Sequence, residues 1–299
     1  MIAKDKAQLS SAREEIHPRR SEMRLIVRTM MRNPLAIIGA IIVLGLILTA
    51  FFADVLAPFD PLEVDLDLKL ESPSLAHPFG TDLHGRDILS RVICGSRISL
   101  RISIMVVTAS ALLGTALGVT AGYYGGLVDE IIMRTTDIFL AIPAFLMAMA
   151  VVVVLGPGLT NAMIAMIVVW WPAYARLVRG QALWVKERQF VEAARAIGAS
   201  SVRIISRHIL VNCLSPLLVQ ATMDFGYVIL TAAGLGFLGL GAQRPEPEWG
   251  LMVSLGRNYL QMAWWYPAFP GLAIALVVFG FNLLGDSLTD ALNPRLRKG

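Results

Sequence analysis

The chain has 299 residues, 56% of them hydrophobic and only 16% charged, with a formal net charge of +4. Average soluble domains carry about 25% charged residues, so the composition argues against a large soluble core, and the small positive excess gives no footing for nucleic acid. The charges crowd into short segments between long uncharged windows, the pattern of repeated membrane spans.

Residues 1–34 are polar and hold eight Lys and Arg. That is too long and too charged for a simple secretory signal, so the first apolar segment is expected to be retained and the tail to be cytoplasmic. Leu35 to Ala53 is free of charge, 19 residues or about 28 Å of helix. This sets a first span at 35–57. An external segment is expected over 58–101. It opens with the turn-rich, acidic APFDPLEVDLDLKLESPS. From Asp87 the apolar Ile88, Val92 and Ile93 recur at helical spacing, which predicts an amphipathic helix reentering the membrane.

The second uncharged window is Ile102 to Val128. Gly114, Gly118 and Gly122 recur every fourth residue in it and lie on one helical face, suited to close helix–helix approach in lipid. Ile138 to Ala175 is uncharged for 38 residues, which as one helix would measure about 57 Å, nearly twice the hydrocarbon core. It must turn, and Gly156-Pro157-Gly158 supplies the break between spans three and four. At the inner boundary of span three, Arg134 and Asp137 sit one turn apart and are expected to pair. Span five runs from about Asn212 to Leu240, interrupted only by Asp224, and span six lies within Ala263 to Leu284. Trp264, Trp265 and Tyr266 fit a membrane–water boundary.

The expected architecture is therefore an all-α membrane protein with six transmembrane helices and both termini cytoplasmic. A five-helix core covers 102–290 and a cytoplasmic tail covers 291–299. Of the 26 Lys and Arg, 19 fall on the side of the termini and seven on the other, and the positive majority marks the cytoplasm. The misfit is Arg86, Arg91, Arg97 and Arg101, four arginines on the outer side.

ATP hydrolysis by this chain would need a phosphate loop with its lysine. None of the five lysines follows a glycine, so no GxxxxGK occurs; ATP-driven work would have to come from a partner. No catalytic set is found. Cys94 and Cys213 have no metal-type spacing and read as packing residues. Asp82, His84 and Asp87 are the best metal candidates, against a reading in which Gly80, Asp82, Gly85 and Asp87 form turns and helix caps. Asp224 is the lone ionisable group inside a span and shares a face with Gln220 and Tyr227, which marks these three as a possible pathway site. A stand-alone secondary carrier and a membrane enzyme built on Asp82, His84 and Asp87 are the rival readings.

The long internal loop over 176–207 holds EAARAIGAS, Glu192 to Ser200. Arg188, Glu192 and Arg195 are expected to share a helix face and pair. Ala193, Ala194 and Ala196 give helicity with little bulk, and Gly198 permits a sharp bend. Val202, Ile205 and Ile209 then point back to lipid or bundle. The loop reads as helix, bend, helix, with a slim knuckle below the membrane.

Glu192-Ala193-Ala194, three residues, then Gly198 resembles the EAA signature of ABC-importer permeases. The family pattern often has a proline near position 211; here that residue is Val211, with Pro216 further on. FGTDLHGRDILSRVICGSRISL, GYYGGLVDEIIMRTTDIFLAIP, LGFLGLGAQRPEPEWG and FNLLGDSLTDALNPRLR extend the resemblance over nearly the whole chain. They resemble the second, C-type permease of the dipeptide, oligopeptide and nickel branch. The resemblance implies a type I importer permease fold in the bacterial inner membrane. It implies a coupling loop at 176–211 in which Glu192, Ala193, Ala194 and Gly198, flanked by Arg188 and Arg195, dock on an ATPase. It also implies a second homologous permease, two ATP-hydrolysing subunits that bind ATP and Mg, and an external solute-binding protein. No cofactor is expected in this chain. Peptides lead as substrate, with glutathione and nickel complexes as alternatives.

Overall fold

A computed structural model of the chain describes residues 28–292; most of the expected tails at 1–34 and 291–299 lies outside them. Helix α1, Pro34–Phe51, starts where the Asn33 side chain accepts the Leu35 N–H at 3.0 Å and proline fills the first position. Its Ile37, Ile41, Leu44 and Ile47 are apolar yet exposed. A surface of that kind is matched to lipid tails, not to water. A short turn, α2, Ala53–Leu56, follows.

Helix α3 runs without interruption from Ile88 to Tyr124. The amphipathic helix and the second span, expected to divide at 101/102, are one helix. Asp87 starts it by accepting the Ser90 N–H at 2.7 Å, and no proline interrupts it. Two of the arginines near the expected boundary are occupied. Arg97 grips Asp54 at 2.9 and 3.1 Å, which holds that exposed carboxyl below the usual carboxylate range. Arg91 is fully buried and donates to the Pro61 carbonyl at 2.7 Å. These guanidiniums therefore hold α2 and the segment around Pro61 to α3.

Span three is not a single run. Helices α4, Gly126–Ala141, and α5, Ala144–Leu155, meet at a 93° bend. Pro143 has no N–H and pushes Ile142 out of helical conformation, here to ψ 133. The break at 156–158 is as expected: Gly156 and Gly158 take φ values of +89 and +148, open to glycine alone at little cost. The ion pair expected between Arg134 and Asp137 is replaced by two others. Arg134 reaches Glu130 at 3.9 Å, and Asp137 accepts from Arg176.

Helix α6 spans Leu159–Lys186, so the first eleven residues assigned to the loop continue a membrane helix. After α7, Gln189–Ala196, the short α8, Ser201–Ile204, passes through a π turn, Ile205–Ile209, into α9, Leu210–Phe237. Helices α10, Trp249–Gly256, and α11, Trp265–Leu292, complete the order. Among the described residues, five helices are long and apolar enough to cross a membrane, and the bent pair, taken as one span, makes six.

The glycine stripe packs α3 against α6. A methyl group at Gly114 would sit 2.5 Å from Tyr174 Cβ, and one at Gly122 would sit 2.7 Å from Ala182 Cβ. The two backbones touch because nothing larger stands between them. Residues 57–87 fold over one end of the bundle. Trp265 donates to the Thr81 carbonyl at 3.3 Å, Trp249 donates to that of Val92 at 3.0 Å, and Phe79 stacks on Phe269. Trp265 and Tyr266 are buried in this cap, and of the expected interfacial trio only Trp264 is exposed.

Candidate functional site

The knuckle at the other end of the bundle is built on α7. Arg188 precedes the helix in an extended conformation and Glu192 lies in its first turn, where a carboxylate favours the positive end of the helix dipole. Val191 and Ala194 are buried against Val178, Ala182 and Val185 of α6 and Ile204, Ile209 and Cys213 beyond the bend. The opposite face is open: Glu192, Ala193, Arg195, Ala196 and Gly198 are all exposed. Gly198 ends the helix at φ +79, and the Ala199 N–H returns to the Ala194 carbonyl at 3.0 Å, a left-handed helix cap. A methyl group there would meet nothing within 4 Å, so it is the backbone twist that requires glycine.

The expected pairing of Arg188, Glu192 and Arg195 does not form among the described residues. Arg188 stacks 3.6 Å over the Trp184 ring and Arg195 lies 5.7 Å from the Tyr123 ring centre. Both guanidiniums are drawn to aromatic faces, which leaves the Glu192 carboxylate free to meet another surface. Val202 is 74% exposed while Ile204 and Ile209 are buried, so Ile204 takes the inward place expected of Val202. Ile197 at 86% and Phe190 at 47% exposure add two large apolar side chains to the outer face. Sequence reading missed both, and Trp184 and Tyr123 as well. Ile197, an apolar residue directly before the bend glycine, was the one available sign.

The span-five group divides. Asp224 is buried and accepts from Gln220 Nε2 at 3.1 Å, whereas Tyr227 is 55% exposed and turns away. Tyr174 of α6 is buried as well. The Tyr174 hydroxyl and Asp224 Oδ2 stop short of hydrogen-bond geometry with each other, and the buried Ser110 hydroxyl is likewise unpartnered. This is a polar point between α6 and α9, the two helices that leave the knuckle.

The proposed metal candidates are otherwise engaged. Asp82 receives Arg86 Nε at 2.7 Å, with Arg91 3.8 Å away. Asp87 caps α3 and meets His77 Nδ1 at 3.0 Å. Their carboxylates serve as turn, cap and ion-pair acceptors.

Glu248 is a further buried carboxyl outside the spans. It caps α10 by accepting the Gly250 and Leu251 N–H groups at 2.8 and 2.7 Å. Burial outweighs these two donors and pushes it up to about 7, from the usual 4.5. A carboxyl raised in the folded state contributes stability that is fully present below pH 4.5 and lost as pH rises through about 7. Thermal stability in detergent is therefore expected to fall across that window, by at most about 3 kcal/mol. Glu248→Gln should flatten the slope, and an unchanged slope would assign it to other groups.

Comparison with known proteins decides the family. The model of the "Binding-protein-dependent transport system inner membrane component" family matches residues 114–298, more than half of the chain. The chain belongs to this family of ABC-importer permeases. A second model, "N-terminal TM domain of oligopeptide transport permease C", matches residues 21–74. The permease is 48% identical over 277 residues to the dipeptide transport system permease protein of Alkalihalophilus pseudofirmus, covering 93% of this chain and 91% of that one. It is 48% identical to the probable D,D-dipeptide transport system permease of Escherichia coli, over 90% and 91% of the two chains. It is 45% identical to the glutathione transport system permease of Pectobacterium atrosepticum, over 93% of each. Among solved structures, the inward-facing MetNI methionine ABC transporter matches with a TM-score of 0.55 at 19% identity, over 69% of this chain and 98% of that one; this shows a shared fold. The permease is accordingly a multi-pass membrane protein of an ABC importer.

Proposed function

We propose that this permease forms half of the pathway of a peptide importer in the bacterial cytoplasmic membrane, and that the α7 knuckle couples it to an ATPase. The bent pair α4–α5 counts as one of six spans in a type I permease fold. Both termini then lie in the cytoplasm, in keeping with the distribution of Lys and Arg. The observation that carries the reading is the knuckle: an eight-residue helix anchored by Val191 and Ala194 and open on its Glu192–Ala193 face, set between two spans. Small and apolar exposed residues let a folded partner approach the backbone closely.

In this reading Glu192, Ala193 and Gly198 enter a groove of one ATPase, with Arg188 and Arg195 at the rim, while Ala194, expected among them, is buried on the opposite face and anchors the knuckle to α6. A second, homologous permease completes the pathway, and a solute-binding protein delivers cargo from outside. ATP and Mg are held by the ATPases, which supply the free energy of hydrolysis; this chain is not itself catalytic. Movement of the knuckle pulls α6 and α9, and Asp224 with Gln220 lies at membrane depth between those helices as a pathway candidate. Tyr227, on the outer face, is not part of that pair. Work is transmitted only if the knuckle's contact energy differs between the open and closed ATPases.

Peptides are the favoured cargo because relatives of nearly equal length carry dipeptide names. The relative named for glutathione supports a second reading, a modified tripeptide on the same machinery. The test is reconstitution. Liposomes holding both permeases and both ATPases should take up labelled dipeptide in the presence of binding protein and ATP. Liposomes with this chain alone should take up none. Uptake by the chain alone would make it a stand-alone carrier and end the coupling assignment.

A further inference from the structure

Helix α4 is held to the bundle in an unusual way. Thr136 is its one buried residue, while Leu127, Ile131 and Ile138 are 64–75% exposed. Apolar burial therefore does little to orient it. Beside one edge-on ring contact, Phe139 on Trp171 of α6 at 5.5 Å, charge orients it. Arg179 of α6 grips Asp129 with Nε and Nη2, each at 2.6 Å, and Arg176 donates to Asp137. A two-pronged guanidinium–carboxylate pair fixes direction as well as distance. Arg179 and Asp129 are partly withdrawn from water, at 34% and 18% side-chain exposure.

Both ends of α4 are joints. Gly125 caps it and Gly126 opens it at φ +69 and +56, with open space around each. Pro143 follows it at the 93° bend. Between them α4 is one uninterrupted helix. Arg179 stands seven positions before Lys186, where α6 ends above the knuckle. At that level a methyl group on Gly122 would lie 2.9 Å from the Arg179 carbonyl, so α6 is clamped to α3 there as well.

We propose that Asp129 and Arg179 are positioning residues for coupling, making α4 a connecting rod through which displacement of the knuckle bends the broken span at Pro143. The inference rests on the permease reading above. When α6 moves with α7, the Arg179 fork carries α4 along, and the rod swings on its glycine joint. Motion then reaches α5, whose Ala148 and Val152 are buried in the central core. Without the fork, α6 slides past α4 and the bend stays where it was.

The test uses the full complex in proteoliposomes with binding protein, reading labelled dipeptide imported per ATP hydrolysed. Asp129→Asn keeps size, Arg179→Gln keeps a shorter polar side chain without the fork, and both should insert and bind ATPases normally. Each should cut the ratio by about tenfold, with hydrolysis continuing. The exchanged pair, Asp129→Arg with Arg179→Asp, should recover the ratio to within about threefold of wild type, while Asp129→Arg alone does not. A normal ratio in Asp129→Asn, an exchanged pair no better than the single reversal, or failure of Asp129→Asn to insert each overturns the proposal. If wild-type complex imports without its ATPases, the permease reading fails instead.

Discussion

Glu192→Lys combined with Gly198→Pro is expected to leave the permease in the membrane and abolish its stimulation of the ATPases. Gly198 sits at φ +79, and proline holds φ near −65°, so the left-handed turn cannot form. Its N–H, which donates to the Arg195 carbonyl at 2.9 Å, is removed as well. The direction in which α8 leaves α7 then changes. Glu192→Lys adds a cation at the helix N-terminus, an unfavourable change of about 0.3–1 kcal/mol, and reverses the charge offered to the ATPase. Binding-protein-stimulated hydrolysis should fall by about a hundredfold, to the unstimulated level. Gly198→Ala separates twist from bulk: the added methyl has open space, and the left-handed φ alone costs about 1–2 kcal/mol. It should weaken stimulation without ending it. Normal stimulated hydrolysis in the double variant would remove the knuckle from the coupling path.

The spans were legible because hydrocarbon thickness is a length rule, and uncharged windows such as Leu35–Ala53 state their lengths directly. The turn at 156–158 was legible for the same reason: 38 uncharged residues cannot lie straight across a bilayer. The bend at Pro143 was less so, because one proline in an apolar run is compatible with a kinked span, and only the packing of α5 on α6 shows how far it turns. Side-chain partners were the least legible. Helical spacing paired Arg134 with Asp137 and Arg188 with Glu192, yet the arginines found Glu130 and the Trp184 ring. Local spacing names the groups that can meet. Tertiary neighbours, here Arg176 for Asp137 and Tyr123 for Arg195, decide which do. Gln220 and Asp224 did meet as spacing predicted, because both remain on one helix face directed at α6.

Gly118→Val should destabilise the bundle strongly. A Cβ at Gly118 would lie 3.0 Å from the Ala175 Cα and carbonyl carbon, and closer still to its oxygen. These are backbone atoms in the middle of a helix, so no side chain can swing aside to make room. Helices α3 and α6 would have to separate along the seam shared by Gly114, Gly118 and Gly122. Overpacking of this kind costs about 1–3 kcal/mol, and the upper end is expected where backbone is the obstacle. Gly45→Val in α1 is the control, because a Cβ there meets nothing within 4 Å and the residue is likewise helical. Melting followed by fluorescence-detected gel filtration in detergent should place Gly118→Val well below wild type and Gly45→Val close to it. The loss should also reach function, since α6 carries the knuckle and α3 is the surface on which it slides or holds. Equal melting of the two valine variants would mean that the α3–α6 seam is looser than the glycine contacts describe, and that the inner end of α6 is not guided by α3.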